Sequence, residues 1–217
     1  MSLTSYLNTH FYTALELCSS LKIDEEQLFQ WQQHSLFPKA SYSIQNQLNC
    51  SSYFGFYQCE EYSDYYARGL LNWGQLLTKH KVDQSSVAFE LFQQRYCEAL
   101  AKCAEKGFTT DDPCFGDDLA EHTQQVWQQF LCSKYAVISQ NGLVEEALYI
   151  DLGRAIIDDI TEARTAATIP PEQRQAVHNA IKLLNKALAV DIPVEQTESL
   201  RSKYIDQLIR KYDLRIK

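Results

Sequence analysis

Two short helix patterns, separated by a tight turn and followed by a proline, constrain the start of this chain most strongly. Thr13 and Glu16 form a capping box, in which each side chain satisfies a free backbone N–H group at the start of a helix. Asp24 is predicted to cap the second helix, because its carboxylate can accept from an N–H group in the first turn. Pro38 excludes further helix, and residues 41–44 alternate as a strand does. The stretch therefore predicts a helix-turn-helix followed by a small β-hairpin.

The charge of this stretch argues against DNA as its ligand. Residues 1–60 contain two basic residues and five acidic ones. The second helix begins with Glu25 and Glu26, where a DNA-recognition helix needs Lys or Arg to neutralise phosphates. We therefore expect the motif to act as a scaffold or a protein-binding surface, with no nucleic-acid partner.

Helix patterns dominate the rest of the chain. The pattern that begins at Leu143 is the longest and is apolar over more than one face, which is typical of a central helix. We predict helices at residues 62–80, 85–106, 118–133, 143–166, 170–190 and 195–212. The fold class is therefore mainly α, with a winged-helix-like head at residues 1–60 and a larger helical bundle at residues 61–217.

Composition and charge indicate which classes of partner are disfavoured and which cell compartment is expected. The chain has 217 residues and a net charge of −8, which disfavours nucleic acid and anionic membranes as partners. It contains no run of about 18 apolar residues, so no membrane span is predicted. The N-terminus has no secretory pattern, and none of the seven cysteines forms a C-x-x-C motif. These features indicate reduced thiols in a cytoplasmic protein.

A run of aromatic residues is the strongest candidate for a binding surface. Eight aromatic rings lie within the 21 residues from Tyr53 to Trp73, and tyrosine is favoured at interfaces and in ligand clefts. The alternative is a packed junction between the head and the helical bundle. Both interpretations allow a ligand pocket at the junction. The candidate partner surface consists of Tyr53, Phe56, Tyr57, Tyr62, Tyr65, Tyr66 and Trp73.

Several stretches together resemble a known family. They are Tyr6–Leu7 with Phe11, the turn Leu36–Phe37–Pro38, the run Trp127 to Leu131 with Tyr135, and Leu184 with Arg201, Tyr204, Asp206, Arg210 and Tyr212. They are similar to uncharacterised bacterial proteins described as natural-product biosynthesis proteins of unknown domain function. The resemblance implies a bacterial helical protein linked to secondary metabolism and supplies no active-site residues.

The first part of the chain also resembles the winged helix of regulators of the mercury-resistance class. It departs from them because it lacks the basic recognition surface and the long dimerising coiled coil. A transcriptional regulator is therefore only the third functional alternative.

The sequence contains few residues in patterns that indicate catalysis or metal binding. The nucleotide-binding and hydrolase motifs G-x-G-x-x-G, the P-loop, G-x-S-x-G and H-E-x-x-H are absent from the sequence. The weak metal candidate is Asp118, Glu121 and His122, of which the first and last are four residues apart on a predicted helix. Cys114 near His122 has the residue types of a thiolate–imidazole pair. We expect no metal and no cofactor.

A row of charged residues lies on the helix that begins at Leu143. It consists of Asp151, Arg154, Asp158, Asp159 and Glu162. The spacings of three and four residues are those of ordinary ion pairs on a helix surface. The row is therefore expected to be a solvated face.

These observations favour a non-enzymatic accessory factor that binds a protein partner or a second copy of itself. The alternative is an accessory enzyme or small-molecule-binding protein of natural-product biosynthesis. Its pocket is expected between the aromatic run and the helix from Leu143.

Overall fold

The computed structural model describes residues 2–190 and 199–214. The head contains helix α1 (Leu3–His10), strand β1 (Phe11–Thr13), helices α2 (Ala14–Leu21) and α3 (Glu25–Gln33), and strands β2 (Tyr42–Ser52) and β3 (Gly55–Ala67). Helices follow: α4 (Leu70–His80), α5 (Ser85–Glu105), α6 (Leu119–Leu131), α7 (Lys134–Ile138), α8 (Val144–Ile160), α9 (Arg174–Ala187) and α10 (Gln207–Tyr212). A 3-10 turn covers Pro113–Phe115, and a π-helical turn, Ser202–Asp206, precedes α10. The predicted mainly helical class with a small β-hairpin is confirmed.

Both predicted caps in the head are present. The Thr13 backbone N–H donates to Glu16 Oε2 at 2.8 Å, and the Glu16 N–H donates to Thr13 Oγ1 at 3.3 Å. Asp24 Oδ1 accepts from the Gln27 N–H at 2.8 Å. These bonds satisfy backbone groups that are otherwise free at helix starts, so α2 and α3 begin where the sequence places them.

The sheet is antiparallel with the strand order β1-β3-β2. β3 pairs with β1 from Phe11 opposite Ala67 to Thr13 opposite Tyr65, and it pairs with β2 along that strand's whole length. The predicted helix at residues 62–80 is therefore wrong for residues 62–67, because their pairing with β2 up to Tyr65 and with β1 from Tyr65 to Ala67 outweighs weak local helix propensity. Residue 60, the predicted domain boundary, lies inside β3.

Two further helices differ from their predicted bounds. α8 ends at Ile160 rather than residue 166, because the Thr161 hydroxyl donates to the Ile157 carbonyl and Glu162, Ala163 and Arg164 adopt positive φ angles. α9 begins at Arg174 rather than residue 170. The predicted helix at 195–212 lies partly outside the described residues, and its described part contains the π-helical turn and α10.

The head packs directly on the helical part. Trp73 of α4 contacts Phe92, Trp127 and Phe130, and its indole N–H donates to the Leu36 carbonyl at 2.8 Å. Gly142 has a φ of +78°, and a Cβ there would lie 2.9 Å from the Ala67 Cβ. Glycine is needed at this position for both reasons, since the turn before α8 touches the end of β3. The buried apolar residues form one continuous core.

Candidate functional site

The hairpin of β2 and β3 extends well beyond the rest of the sheet. β1 pairs with β3 no further than Tyr65, so Ser43 to Asp64 form a two-stranded hairpin whose register runs from Ser43 opposite Asp64 to Ser52 opposite Gly55. We call residues 43–64 the ribbon. Its tip consists of Tyr53 and Phe54, which are 97% and 94% exposed. Few fully exposed aromatic pairs are expected on a folded protein, so the ribbon is a candidate interaction surface.

The structure divides the predicted aromatic surface into two groups. Tyr53, Phe56, Tyr57 and Tyr62 are exposed on the ribbon, between 63% and 97%. Tyr65, Tyr66 and Trp73 are buried. The buried members pack within the junction between the head and the helical part, as the alternative interpretation predicts for them, and the exposed members remain the candidate partner surface.

Specific contacts hold the buried group in place. The Tyr65 hydroxyl donates to Asn8 Oδ1 at 3.1 Å, and the Tyr66 hydroxyl accepts from Gln32 Nε2 at 3.1 Å. Burial raises the pKa of Tyr66 above its ordinary value. The two hydroxyls therefore act as hydrogen-bonding groups within the core.

The two faces of the ribbon differ chemically. Side chains opposite each other in an antiparallel pair point to the same face. Leu48 lies opposite Cys59, and Cys50 lies opposite Tyr57, so these four side chains form one apolar face. The other face is mostly polar, with Gln58 Nε2 donating to Asn49 Oδ1 at 2.6 Å and the Tyr62 hydroxyl donating to Glu60 Oε2 at 2.9 Å.

A second candidate site is a polar cavity in the helical part. Its volume is about 270 Å³, and it lies between the 3-10 turn at Pro113–Phe115 and helices α6, α7 and α8. The side chains that concern us are Cys114, His122, Gln129, Lys134, Tyr135, Asp151, Arg154 and Asp158. The cavity is therefore distinct from the pocket predicted between the aromatic run and the helix from Leu143.

Asp151 is the central group of this cavity. Its side chain is 11% exposed, and burial raises the pKa of its carboxyl, although Tyr135, His122, Lys134 and Arg154 act in the opposite direction. The nearest cation, Arg154, lies 3.9 Å from Asp151 Oδ1, at the limit of an ion pair. Asp151 is therefore not on a solvated face as predicted, because α6 and α7 pack over this side of α8.

The Tyr135 hydroxyl lies between Asp151 and Gln129. It is 2.5 Å from Asp151 Oδ2 and 3.1 Å from Gln129 Oε1, and a phenol has one proton to donate. Gln129 Oε1 also accepts from Lys134 Nζ at 2.6 Å. The shorter contact is the hydrogen bond that Tyr135 donates to Asp151, and this bond lowers the pKa of the carboxyl whereas burial raises it. Burial is the larger effect, so the pKa of Asp151 lies above its ordinary value.

The other charged residues of the row divide between the cavity rim and solvent. Asp158 accepts from the Tyr204 hydroxyl at 2.7 Å and from Arg164 Nε at 3.2 Å, and Arg164 stacks over the Tyr204 ring. Asp159 and Glu162 are exposed. The described part of the final helical segment therefore closes one side of the cavity rim.

The cavity also takes in Cys114 and His122. His122 Nε2 is 3.1 Å from the Tyr96 hydroxyl. Burial and the nearby Asp112 raise the pKa of the Cys114 thiol, which opposes formation of the predicted thiolate. Cys114 and His122 thus share a cavity without the features of an activated nucleophile.

The predicted metal candidate does not assemble. Asp118 and Glu121 are exposed, whereas His122 is half-buried and faces Tyr96. Within residues 2–190 and 199–214, no three His, Cys, Asp or Glu side chains are placed to hold a metal ion. Nor is any helix in those ranges long and apolar enough to cross a membrane.

Residues 88–213 match the family model described as "Family of unknown function (DUF6058)", and they make up more than half of the chain. The chain belongs to this family. No curated protein and no solved structure matches the chain. The membership confirms the expectation of an uncharacterised family. The cavity of this DUF6058 protein lies wholly within the matched residues, whereas the ribbon lies before them.

Sequence reasoning found the ribbon aromatics but not the cavity. Asp151 and Arg154 were recognised as charged residues of α8, yet their spacing also fits a surface row. One signal was available: α8 is apolar around more than one face, so a charged residue on it is withdrawn from water. Tyr135 and Gln129 carried no such signal.

Proposed function

We propose that this DUF6058 protein is a protein-binding accessory factor that presents its ribbon to a partner. The observation that carries the proposal is the set of exposed aromatic side chains on the ribbon, from Tyr53 to Tyr62. Rigid aromatic side chains dominate the energetics of protein interfaces, because they bury a large area at low conformational cost. The resemblance to natural-product biosynthesis proteins suggests that the partner belongs to such a pathway.

The head is best interpreted as a winged-helix-like domain in which the ribbon is the wing. The element order α1-β1-α2-α3-β2-β3 and the strand order β1-β3-β2 support this interpretation. In this arrangement α3 occupies the position of a recognition helix. Its first turn exposes Glu25 and Glu26, and the ribbon carries Glu60, Glu61 and Asp64 without any Lys or Arg. Both elements would repel phosphates, so we propose that the head does not bind DNA.

A salt titration tests the absence of DNA binding. We expect full-length protein to show no salt-sensitive binding to a fluorescent DNA duplex in the micromolar range. The basic residues near the end of the chain are the alternative contact, and Arg210→Ala/Lys211→Ala removes two of them. Duplex binding at physiological salt that this double variant abolishes would replace the proposal with a transcriptional regulator.

A native co-purification tests protein binding. Tagged protein and the variant Tyr53→Ser/Phe56→Ser/Tyr57→Ser are compared by quantitative mass spectrometry of the captured proteins. Leu15→Ser/Phe29→Ser is the matched control, because both residues are exposed apolar side chains of the head outside the ribbon. We expect the ribbon variant alone to lose specific partners, including its own untagged copies. Equal capture by all three proteins would contradict the proposal.

A second candidate function is the binding of a small polar molecule in the cavity. The observation that favours it is the buried carboxyl of Asp151, which lines the cavity together with the positively charged side chains of Lys134 and Arg154. A thermal-shift screen of polar metabolites tests it, with Asp151→Asn as the comparison. A ligand that stabilises the native protein and not the variant supports the assignment, and a screen without such a ligand argues against it.

The proposed compartment is the cytoplasm. The seven cysteines are free, and Cys50 and Cys132 are exposed. Exposed free thiols suit a reducing compartment.

A further inference from the structure

We infer that the ribbon binds a second copy of this chain, through antiparallel pairing of β2 with the same strand of the other copy. This inference rests on the proposed protein-binding function and specifies its partner. It is carried by three observations: an unpaired outer strand, its lack of any feature that prevents pairing, and the apolar area beside it.

β2 is the outer strand of the sheet, and the part of it nearest the ribbon tip is open to solvent. The strand order is β1-β3-β2, so one edge of β2 has no strand beside it among residues 2–190 and 199–214. Residues 47–52 are all exposed. An outer strand presents alternate backbone N–H and C=O groups, which form a template for another strand.

β2 carries none of the usual protections against such pairing. Folded proteins block sheet edges with charged residues, above all Lys, with proline or with bulges. The eleven residues from Tyr42 to Ser52 include no charged residue and no proline, and they pair with β3 in unbroken register. The three acidic residues of the ribbon lie on β3, the inner strand. Hence no like charges face each other when two β2 strands meet.

Identical outer strands can pair antiparallel about a two-fold axis, which closes the assembly at two copies. With Asn49 at the axis, the exposed parts of the two strands overlap from residue 46 to residue 52. Leu48 then lies opposite Cys50 of the second copy on the same face. The apolar face of Leu48, Cys50, Tyr57 and Cys59 thereby continues across the interface.

The ribbon exposes apolar area at its tip and on both of its faces, close to the strands that pair. Five ribbon aromatics, Tyr53, Phe54, Phe56, Tyr57 and Tyr62, are 63–97% exposed. At roughly 150–250 Å² for each aromatic side chain, they offer on the order of 800 Å² per copy. That is about what one partner contributes to an interface of standard size. In the antiparallel arrangement, Tyr53 and Phe54 lie beside Gln45 and Ile44 of the second copy.

The first test places a positive charge on the edge of β2. In Gln47→Lys, the new side chain lies opposite Glu60 of the same ribbon, so the fold can accommodate it as a cross-strand ion pair. Gln30→Lys is the matched control, since Gln30 is an exposed glutamine that contacts Glu26 on α3, away from the ribbon. Sedimentation of the full chain over a concentration series should show a dimer that Gln47→Lys weakens by about tenfold or more and Gln30→Lys leaves unchanged.

The second test is chemical cross-linking through the native cysteines. Cys50 lies in the exposed part of β2, and Cys132 is an exposed cysteine in the helical part. We expect a short bis-maleimide to join two copies through Cys50. Cys50→Ser should abolish the cross-linked dimer, whereas Cys132→Ser should leave it. A dimer that forms equally in Cys50→Ser, or that resists Gln47→Lys, overturns the inference.

A monomeric result separates the inference from the proposed function. A protein that stays monomeric at high micromolar concentration overturns strand pairing outright. If the monomer nevertheless loses an identified protein partner in the ribbon variant Tyr53→Ser/Phe56→Ser/Tyr57→Ser, the protein-binding function stands without the second copy. If the monomer instead co-floats with phosphatidylcholine vesicles and the ribbon variant does not, the strand pairing and the protein-binding function are both wrong. The ribbon is then a lipid-binding element.

Discussion

The ribbon and the helical part place their side chains in opposite environments. The ribbon holds Tyr53 and Phe54 in water, whereas the helical part withdraws the carboxyl of Asp151 from it. Exposed apolar groups cost little folding stability, because they are also exposed in the unfolded chain, and their consequence is association. A buried carboxyl changes folding stability itself, because its ionised form is penalised only in the folded state. Substitutions in the two regions should therefore be detected by different measurements.

The largest difference is expected between the two groups of the aromatic run. Trp73→Ala removes a buried ring that contacts three other aromatic residues and loses the hydrogen bond to the Leu36 carbonyl. We expect the free energy of unfolding in urea to fall by about 3–5 kcal/mol. Tyr57→Ala on the ribbon should change it by less than about 0.5 kcal/mol. Similar losses in both variants would mean that the ribbon packs against the body in solution.

Tyr135→Phe probes the polar interior. The variant removes the hydroxyl that donates to the Asp151 carboxyl, and a buried polar group that loses its partner costs about 1–3 kcal/mol of stability. Tyr62→Phe also removes a hydroxyl that contacts a carboxylate, but at an exposed position, so we expect almost no change. Chemical denaturation at pH 6 compares the two variants. Equal losses of stability would contradict the prediction that only the buried hydroxyl contributes to stability.

Asp151→Asn tests how the buried carboxyl of the helical part changes folding stability with pH. The pKa of Asp151 is raised in the folded state above its ordinary value of 3.8, so the native protein loses stability relative to the variant as the pH rises from 3.8 to the raised pKa. Below pH 3.8 the acid is neutral in both states and the difference is constant. Within the window the difference should grow by up to about 1.4 kcal/mol per pH unit.

Denaturation curves from pH 3 to pH 8 measure this slope. His122, Lys134, Arg154 and Tyr135 face the same carboxyl, and Asp151→Asn leaves all four in place. A difference that stays flat across the range would show that the pKa of Asp151 is not raised in the folded protein.

The smallest effect on stability is expected on the ribbon. Tyr53→Ser/Phe56→Ser should change the free energy of unfolding by no more than about 0.5 kcal/mol when it is measured on dilute protein. The same variant should reduce association at high concentration, which light scattering measures. A clear loss of stability in dilute protein would contradict the view that the ribbon is free of the body.

Local signals predicted much of the head. The capping box at Thr13, the N-cap Asp24 and the proline at residue 38 act within a few residues, and the helices begin accordingly. The same local view failed at residues 62–67, which pair with the start of β2 up to Tyr65 and with β1 from Tyr65 to Ala67. Both pairings join residues that are well separated in the chain, so no local pattern encodes them.

The candidate sites were also predictable only in part, because residue types are visible in the sequence and burial is not. The aromatic residues were visible in the sequence, but which of them are exposed depends on where β1 stops pairing with β3. The position of Asp151 on α8 was visible too. Its environment was not, because it depends on the packing of α6 and α7 and on Tyr135 and Gln129, which have no recognisable motif.

The sequence by itself determined the mainly helical class, the helix starts in the head, the acidic first turn of α3 and the absence of charged residues from Tyr42 to Ser52. These properties depend on residue type and on near neighbours, which a sequence states directly. Only the tertiary structure decided that Trp73 lies in the core while Tyr53 lies in water, and that Asp151 lies in a cavity. Burial is the physical reason, since it depends on contacts between segments that are distant in the chain.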